Sequence, residues 1–313
     1  MDNSSYKPWI EKYRPSDYTQ VKGQIFVKNT ILNMIKKGCF PNMIFHGSPG
    51  TGKTSFIFSL AKLIYKEHVN TLVLELNASD DRGINVIREE IKDFTSKTNL
   101  FSNGIKLVIL DEADAMTSEA QLALRYLMEK YKSQVRFCLI CNYYYKIIDS
   151  LKSRCCVFRF LPLNYNETKS IIKNIMKNEN ITLSSKIIDK IISFGSGDIR
   201  KSINLLQSIC LTNKKINNKF VNLLIGDIDE SDSDKIYDIL FDKEILYRKK
   251  FTLINKYLEK RGISLSNLIK IIFDKLDDKL LSKNMIQLAD LEFQVKQSTF
   301  SKTYLYQLVS IFS

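Results

Sequence analysis

The run Gly47-Ser-Pro-Gly-Thr-Gly-Lys-Thr54 restricts the fold of this chain more than any other feature, because it fits G-x-x-x-x-G-K-[ST] and follows the apolar residues 43–45 after one intervening histidine. Those residues read as a strand, and residues 55–65 read as the helix that the run opens. A strand, a glycine-rich turn and a helix in this order form a cradle for phosphate. Gly47, Gly50 and Gly52 let the backbone, with Ser48, Pro49 and Thr51 between them, close around an anion, and the helix N-terminus adds positive potential. Lys53 then reaches the β- and γ-phosphates, and the Thr54 hydroxyl is placed to ligate Mg²⁺.

Three further apolar runs, residues 71–76, 107–110 and 136–141, read as strands, and their near-continuous hydrophobicity suits a parallel sheet covered on both faces. The second of these runs carries chemistry, since Leu107-Val-Ile-Leu-Asp-Glu112 ends in two carboxylates. From a strand end, Asp111 can bind Mg²⁺ through water while Glu112 orients an attacking water, the two jobs that phosphoryl transfer to water requires. A kinase would need an acceptor pocket and a switch GTPase would need guanine-reading loops; neither is found in the sequence. ATP hydrolysis is the expected reaction. Asn142 closes the strand 136–141 and faces the same crevice, in reach of the γ-phosphate or the water. Ser153-Arg-Cys155 and Gly197-Asp-Ile-Arg200 each offer an arginine to phosphate charge, in this chain's own site or in a neighbour's.

The rest of the chain is punctuated unevenly. All five prolines lie within the first 162 residues and only four glycines follow, so residues after 162 are expected to be mostly helical. The acidic stretch at 226–234 marks a linker or an exposed helix start, giving expected domains at 1–161, 162–226 and 227–313. Charge follows the same division. Of the 313 residues, 47 are Lys or Arg and 34 are Asp or Glu, a formal charge of +13. Residues 1–161 carry 23 basic and 16 acidic side chains, residues 162–226 carry 10 and 4, and residues 227–313 carry 14 and 14. The excess lies in the first 226 residues, which points either to a polyanion partner or to a generally lysine-rich composition.

Other classes are disfavoured. Cys138 and Cys141 have the C-x-x-C spacing of a zinc or redox site, yet they sit inside an apolar strand rather than in a turn where thiolates converge, so buried structural thiols are expected. His46 and His68 have no ligand or triad partner nearby in sequence. The opening Met1-Asp-Asn-Ser-Ser5 lacks the basic-then-apolar order of a signal peptide, and no apolar run approaches the roughly 20 residues of a membrane span. An intracellular protein without membrane contact is expected.

Taken together, several motifs resemble the clamp-loader branch of the AAA+ ATPases, and within it the small subunits of replication factor C. They are Pro8-Trp-Ile-Glu-Lys-Tyr-Arg-Pro15, the phosphate loop, Glu75-Leu-Asn-Ala-Ser-Asp-Asp-Arg-Gly83, Leu110-Asp-Glu-Ala-Asp-Ala-Met116, Cys141-Asn-Tyr143, Ser153-Arg-Cys155 and Gly197-Asp-Ile-Arg200. The resemblance covers residues 8 to about 226; the final 87 match as a helix-rich tail. It implies an α/β AAA+ domain, a small helical lid and a C-terminal helical collar, working in a five-membered ring that uses ATP and Mg²⁺ to load a sliding clamp onto primer–template DNA.

The resemblance also distributes roles. Lys53, Thr54, Asp111, Glu112, Asn142 and Arg200 would serve this chain's own nucleotide, with Tyr13 and Arg14 beside the adenine or phosphates. Arg154 would be a finger reaching a neighbour's ATP. Arg82, Arg88 and Lys146 would line a DNA-facing chamber, although each also reads as an ordinary surface charge, and Leu100 and Phe101 would press on the clamp. Departures are Ser48 where proline is frequent, and Tyr126 and Lys201 where arginines are frequent; a lysine at 201 keeps charge but loses the bidentate fork. Two other readings stay open: a structural or ATP-sensing ring subunit, and a helicase of the same superfamily, for which the sequence offers neither pore loops nor an unwinding module. Nuclear localisation is implied only for a cellular eukaryotic owner.

Overall fold

The computed structural model describes residues 7–79, 84–96, 104–212, 216–226, 230–242, 244–276, 278–297 and 302–312. Five strands form one parallel sheet: β1 Met43–His46, β2 Val73–Asn77, β3 Lys106–Asp111, β4 Val135–Cys141 and β5 Cys156–Arg159, in the spatial order β2-β3-β4-β1-β5. The continuous apolar character of β1, β3 and β4 has a simple cause. Alternate side chains enter two different cores: Ile44, Val108, Leu110, Phe137 and Leu139 pack on one face, and Met43, Phe45, Leu107, Ile109 and Ile140 on the other. Helices cover each face, with Lys53–Tyr65 contributing Phe56, Ile57 and Leu60 to the second core and Ser118–Lys130 contributing Leu124, Leu127 and Met128 to the first.

Two details depart from the expected elements. The strand anticipated from residue 71 begins at Val73, because Thr71 and Leu72 complete the short helix Val69–Leu72. There the Thr71 hydroxyl donates to the His68 carbonyl at 2.9 Å and Leu72 is buried. Strand β5 was not anticipated; at four residues, with alternating burial on the sheet edge, it gives too short a pattern to read. Cys138 and Cys141 are buried in β4. Burial pushes the Cys138 thiol well up and the Cys141 thiol up to about 12, which keeps both protonated.

Beyond the sheet, every described element is helical. Helix Tyr165–Asn178 starts with a capping box in which Asn164 accepts from the Glu167 N–H and the Glu167 carboxylate accepts from the Asn164 N–H. Ser185–Gly195 and Ile199–Leu211 follow. Packing divides the chain into two compact units, residues 1–207 and 208–313, so the division falls inside helix Ile199–Leu211. In the second unit, helices Glu230–Phe241, Tyr247–Arg261, Leu265–Lys275, Asp278–Gln297 and Lys302–Ile311 enclose one apolar core that includes Leu240, Ile254, Leu268, Leu291, Leu305 and Leu308. Lys250 is buried beside this core and its ammonium donates to the Leu240 carbonyl at 2.8 Å, near a helix C-terminus where positive charge is favoured. Among the described residues, no helix is long and apolar enough to cross a membrane.

Candidate nucleotide site

The sheet order decides what meets at the carboxyl ends of the strands. His46 pairs with Cys141, so Gly47 and Asn142 are each the first residue beyond the ends of adjacent strands. One strand further along, β3 ends at Asp111. The Lys53 side chain, leaving the first turn of its helix, therefore finds Asn142 at hand: its ammonium donates to Asn142 Oδ1 at 2.9 Å and to the carbonyls of Gly47 and Ser48 at 2.7 and 2.9 Å. Burial draws the Lys53 pKa below its ordinary value, against the opposing pull of Asp111. The Thr54 hydroxyl donates to Asp111 Oδ2 at 2.8 Å, and Asp111 Oδ1 accepts from the Glu112 N–H at 2.9 Å.

Glu112 lies at φ 54°, in the left-handed region that a residue with a Cβ rarely adopts. The reversal takes the chain sharply out of β3 and leaves the Glu112 carboxylate exposed, next to the buried end of the strand. Two glycines of the loop are required by close approach. A Cβ on Gly47 would stand 2.2 Å from the Phe160 carbonyl oxygen, and one on Gly50 would stand 1.7 Å from Asp198 Oδ1, both positions also having positive φ.

A cavity of about 1300 Å³ opens beside the loop. Gly50, Thr51, Gly52 and Thr54 form one side, Tyr13 and Arg14 another, and Ile175, Arg200 and Ile203 a third. The backbone N–H of Arg200 donates to Asp198 Oδ1 at 3.0 Å, which orders the first turn of helix Ile199–Leu211, and the same carboxylate lies close to Gly50 of the loop. Tyr13 donates its hydroxyl to Glu179, and Lys12 pairs with the same carboxylate at 2.6 Å. Trp9 N–H donates to Gln207 Oε1 at 3.0 Å. The residues around Tyr13 thereby tie the N-terminal segment to the helices after residue 162. Arg14 lies over the Phe58 ring at 5.4 Å.

The structure sets the remaining expected residues apart from this cavity. Arg154 is exposed, with Nη2 and Nε at 2.5 and 2.9 Å from Glu129 Oε1 and Nη1 donating to the Ser150 carbonyl at 2.9 Å. Arg88 and Lys146 are exposed, on helix Ile84–Ser96 and on the turn after β4 respectively. Arg82, Leu100 and Phe101 lie outside the described residues.

Two residues that organise the site were not singled out from the sequence. Asp114 Oδ2 accepts from the Asn142 and Tyr143 N–H groups at 3.2 and 2.9 Å, which fixes the segment carrying Asn142. Gln121, 2% exposed, accepts from the Ile148 N–H at 2.8 Å and donates to the carbonyls of Lys146 and Met116 at 3.0 and 3.2 Å. The readable signal for Gln121 is an amide on the apolar face of helix Ser118–Lys130, since a buried polar side chain requires partners.

Comparisons with known proteins agree with this architecture. The family model for the ATPase family associated with various cellular activities (AAA) matches residues 43–163, and that for the RFC1-like AAA+ ATPase lid domain matches residues 165–220. The chain is 38% identical to a protein named probable replication factor C subunit 5 from Dictyostelium discoideum, over 97% of this chain and 90% of that protein. It is also 38% identical to replication factor C subunit 3 of Saccharomyces cerevisiae, over 93% and 88%. Against human replication factor C subunit 5 the identity is 36%, over 97% and 91%. In fold it is similar to the Thermotoga maritima RuvB Holliday junction branch migration motor, with a TM-score of 0.54 and 17% identity over 82% of this chain and 88% of that one. A parallel sheet bearing this phosphate loop, followed by a helical lid, defines a P-loop ATPase of the AAA+ class. Within that class, the chain belongs to the replication factor C subunit family.

Proposed function

We propose that this chain is a clamp-loader subunit that binds ATP in the 1300 Å³ cavity, hydrolyses it within a ring of related subunits, and so helps to load a sliding clamp onto primer–template DNA. The observation that carries the reading is the convergence of Lys53, Thr54, Asp111 and Asn142 within hydrogen-bond distance at the ends of β1, β3 and β4. The names of the relatives support membership of a multi-subunit replication complex. The expected division into an ATPase domain, a lid and a collar at 1–161, 162–226 and 227–313 is part of the proposal.

The residues present fit ATP with Mg²⁺. A hydroxyl and a carboxylate 2.8 Å apart are a hard oxygen pair of the kind Mg²⁺ prefers, and Gly50 and Gly52 take positive φ in the loop beside the cavity, a backbone path that suits wrapping an anion. Thr54 and, through water, Asp111 would hold the ion, whose chemistry is to offset charge on the β- and γ-phosphates. Lys53 turns its ammonium from loop carbonyls to phosphate oxygens, and Asn142 holds that ammonium in register. Glu112, placed just past the strand end, orients the attacking water. Tyr13 and Arg14 wall the nucleotide on one side, and Arg200 meets phosphate charge from the lid.

Arg154 is exposed and does not line its own chain's cavity, which supports a role as a finger for a neighbour's ATP. Arg88 and Lys146, with Arg82, are proposed to follow DNA phosphates, and Leu100 and Phe101 to meet the clamp. The test is steady-state turnover of the complex purified through this chain, with clamp and primed DNA. Lys53→Ala is expected to abolish nucleotide binding at this chain's site, and Glu112→Gln to keep binding while this site's turnover falls at least a hundredfold. Unchanged clamp loading and turnover with both substitutions would remove the catalytic assignment.

A further inference from the structure

The turn after β4 displays more aromatic surface than the nucleotide site uses. Tyr143 and Tyr145 are 54% and 74% exposed, with ring centroids 5.8 Å apart. Between them Tyr144 turns inward and stacks on His46, at 4.7 Å and 28°. Lys146 lies 5.1 Å over the Tyr143 ring. Tyr143, Tyr144 and Tyr145 also line a second hollow, about 430 Å³, together with His46, Arg159 and, from the adjoining nucleotide site, Ser48, Pro49 and Asn142. Among the described residues, neither Lys146 nor Arg159 has an acidic partner within ion-pair distance.

This surface is held firmly. Asp114 accepts from the Tyr143 N–H, Gln121 is hydrogen-bonded to the Lys146 carbonyl and the Ile148 N–H, and the Tyr144–His46 stack pins the middle of the turn. Two exposed rings on a rigid turn need little ordering to bind, and two unpaired cations beside them favour an anionic partner over an apolar one. Aromatic faces next to phosphate-binding cations are the combination that holds single-stranded nucleic acid, because every base has a face to stack and every nucleotide a phosphate to neutralise. Duplex bases are already stacked on one another and cannot use such a site.

We propose that Tyr143 and Tyr145 form a stacking site for an unpaired base of single-stranded DNA, with Lys146 and Arg159 on the adjoining phosphates. The inference deepens, and rests on, the DNA reading above: it adds recognition of the unpaired strand to contact with the backbone.

The test uses the complex purified through this chain, with fluorescein-labelled oligothymidylate and a labelled duplex as probes. Tyr143→Ala/Tyr145→Ala is expected to weaken oligothymidylate binding on the order of tenfold or more and to leave duplex binding unchanged, whereas Tyr143→Phe/Tyr145→Phe keeps both. Oligonucleotides carrying 5-iododeoxyuridine are expected to photocrosslink to Tyr143 or Tyr145 in the unsubstituted protein, a readout that does not depend on the variants folding. Equal affinity of the alanine variant for oligothymidylate, or equal loss for both probes, would overturn the stacking site while leaving backbone contact in place. Failure of the unsubstituted complex to bind either probe would overturn the DNA reading itself. Loss of subunits from the alanine complex, without a crosslink in the unsubstituted one, would assign this surface to a protein neighbour instead.

Discussion

Lys53 and Asn142 are 89 positions apart in sequence and 2.9 Å apart in space. The chemistry of each was readable separately: a lysine after a glycine turn meets phosphate, and a polar residue closing an apolar strand faces the crevice. What holds Asn142 and the turn after it in place was not readable, because Asp114, on the Asn142 N–H, and Gln121, on Lys146 and Ile148, act through backbone groups whose positions depend on the folded chain. Gln121 satisfies one N–H and two carbonyls from a buried position, so Gln121→Leu leaves three polar groups without partners. The expected loss is about 1–3 kcal/mol or more, since an unpaired buried polar group costs roughly that much. Urea denaturation measures it, and an unchanged midpoint would show that water replaces the amide at no cost.

Helix Tyr165–Asn178 and the N-terminal helix Trp9–Lys12 meet through one carboxylate. Glu179 accepts from Lys12 and from the Tyr13 hydroxyl, and these hydrogen bonds hold its pKa below the ordinary carboxylate value, chiefly through Lys12. Because the folded value is the lower one, the stabilisation is fully present above the ordinary carboxylate pKa and is lost as pH falls through the folded value. Glu179→Gln is therefore expected to lower the melting temperature at neutral pH, and the gap to the unsubstituted protein is expected to close below about pH 4. Thermal melts across that range decide it; a gap that persists in acid would mean that packing, not charge, makes the link. Lys12 is solvent-exposed, so the effect is expected to be modest. Sequence reading expected helix after residue 162 but found neither the short helix Trp9–Lys12 nor the contact, since Glu179 stands just past a helix end with no local feature to mark it.

Charge and assembly concern the chain as a unit. The excess of basic residues is confined to the first 226 positions, and the balanced final 87 build a core of their own from five helices. Arg154 is exposed and paired with Glu129, and the proposed finger role is tested by its removal. Arg154→Ala is expected to leave nucleotide affinity of the isolated chain unchanged, by fluorescent-nucleotide titration. In the assembled complex it is expected to cut turnover at the neighbouring site by about 10³–10⁵, the range for arginine fingers. Equal loss of affinity in the isolated chain would return Arg154 to its own site.

The sequence by itself determined the local chemistry: a strand, a phosphate loop and a helix in fixed order, two carboxylates closing an apolar strand, and a proline-free, helical region after residue 162. These are legible because they depend on residues within a turn or two of one another. The tertiary structure alone decided that β1 lies between β4 and β5, and hence that Asn142 meets Lys53, that Gly50 abuts Asp198, and that Tyr144 turns inward while Tyr143 and Tyr145 face out. Strand order in a parallel sheet is set by crossovers that bury helices on both faces of the sheet. No short stretch of sequence contains that balance of long-range packing.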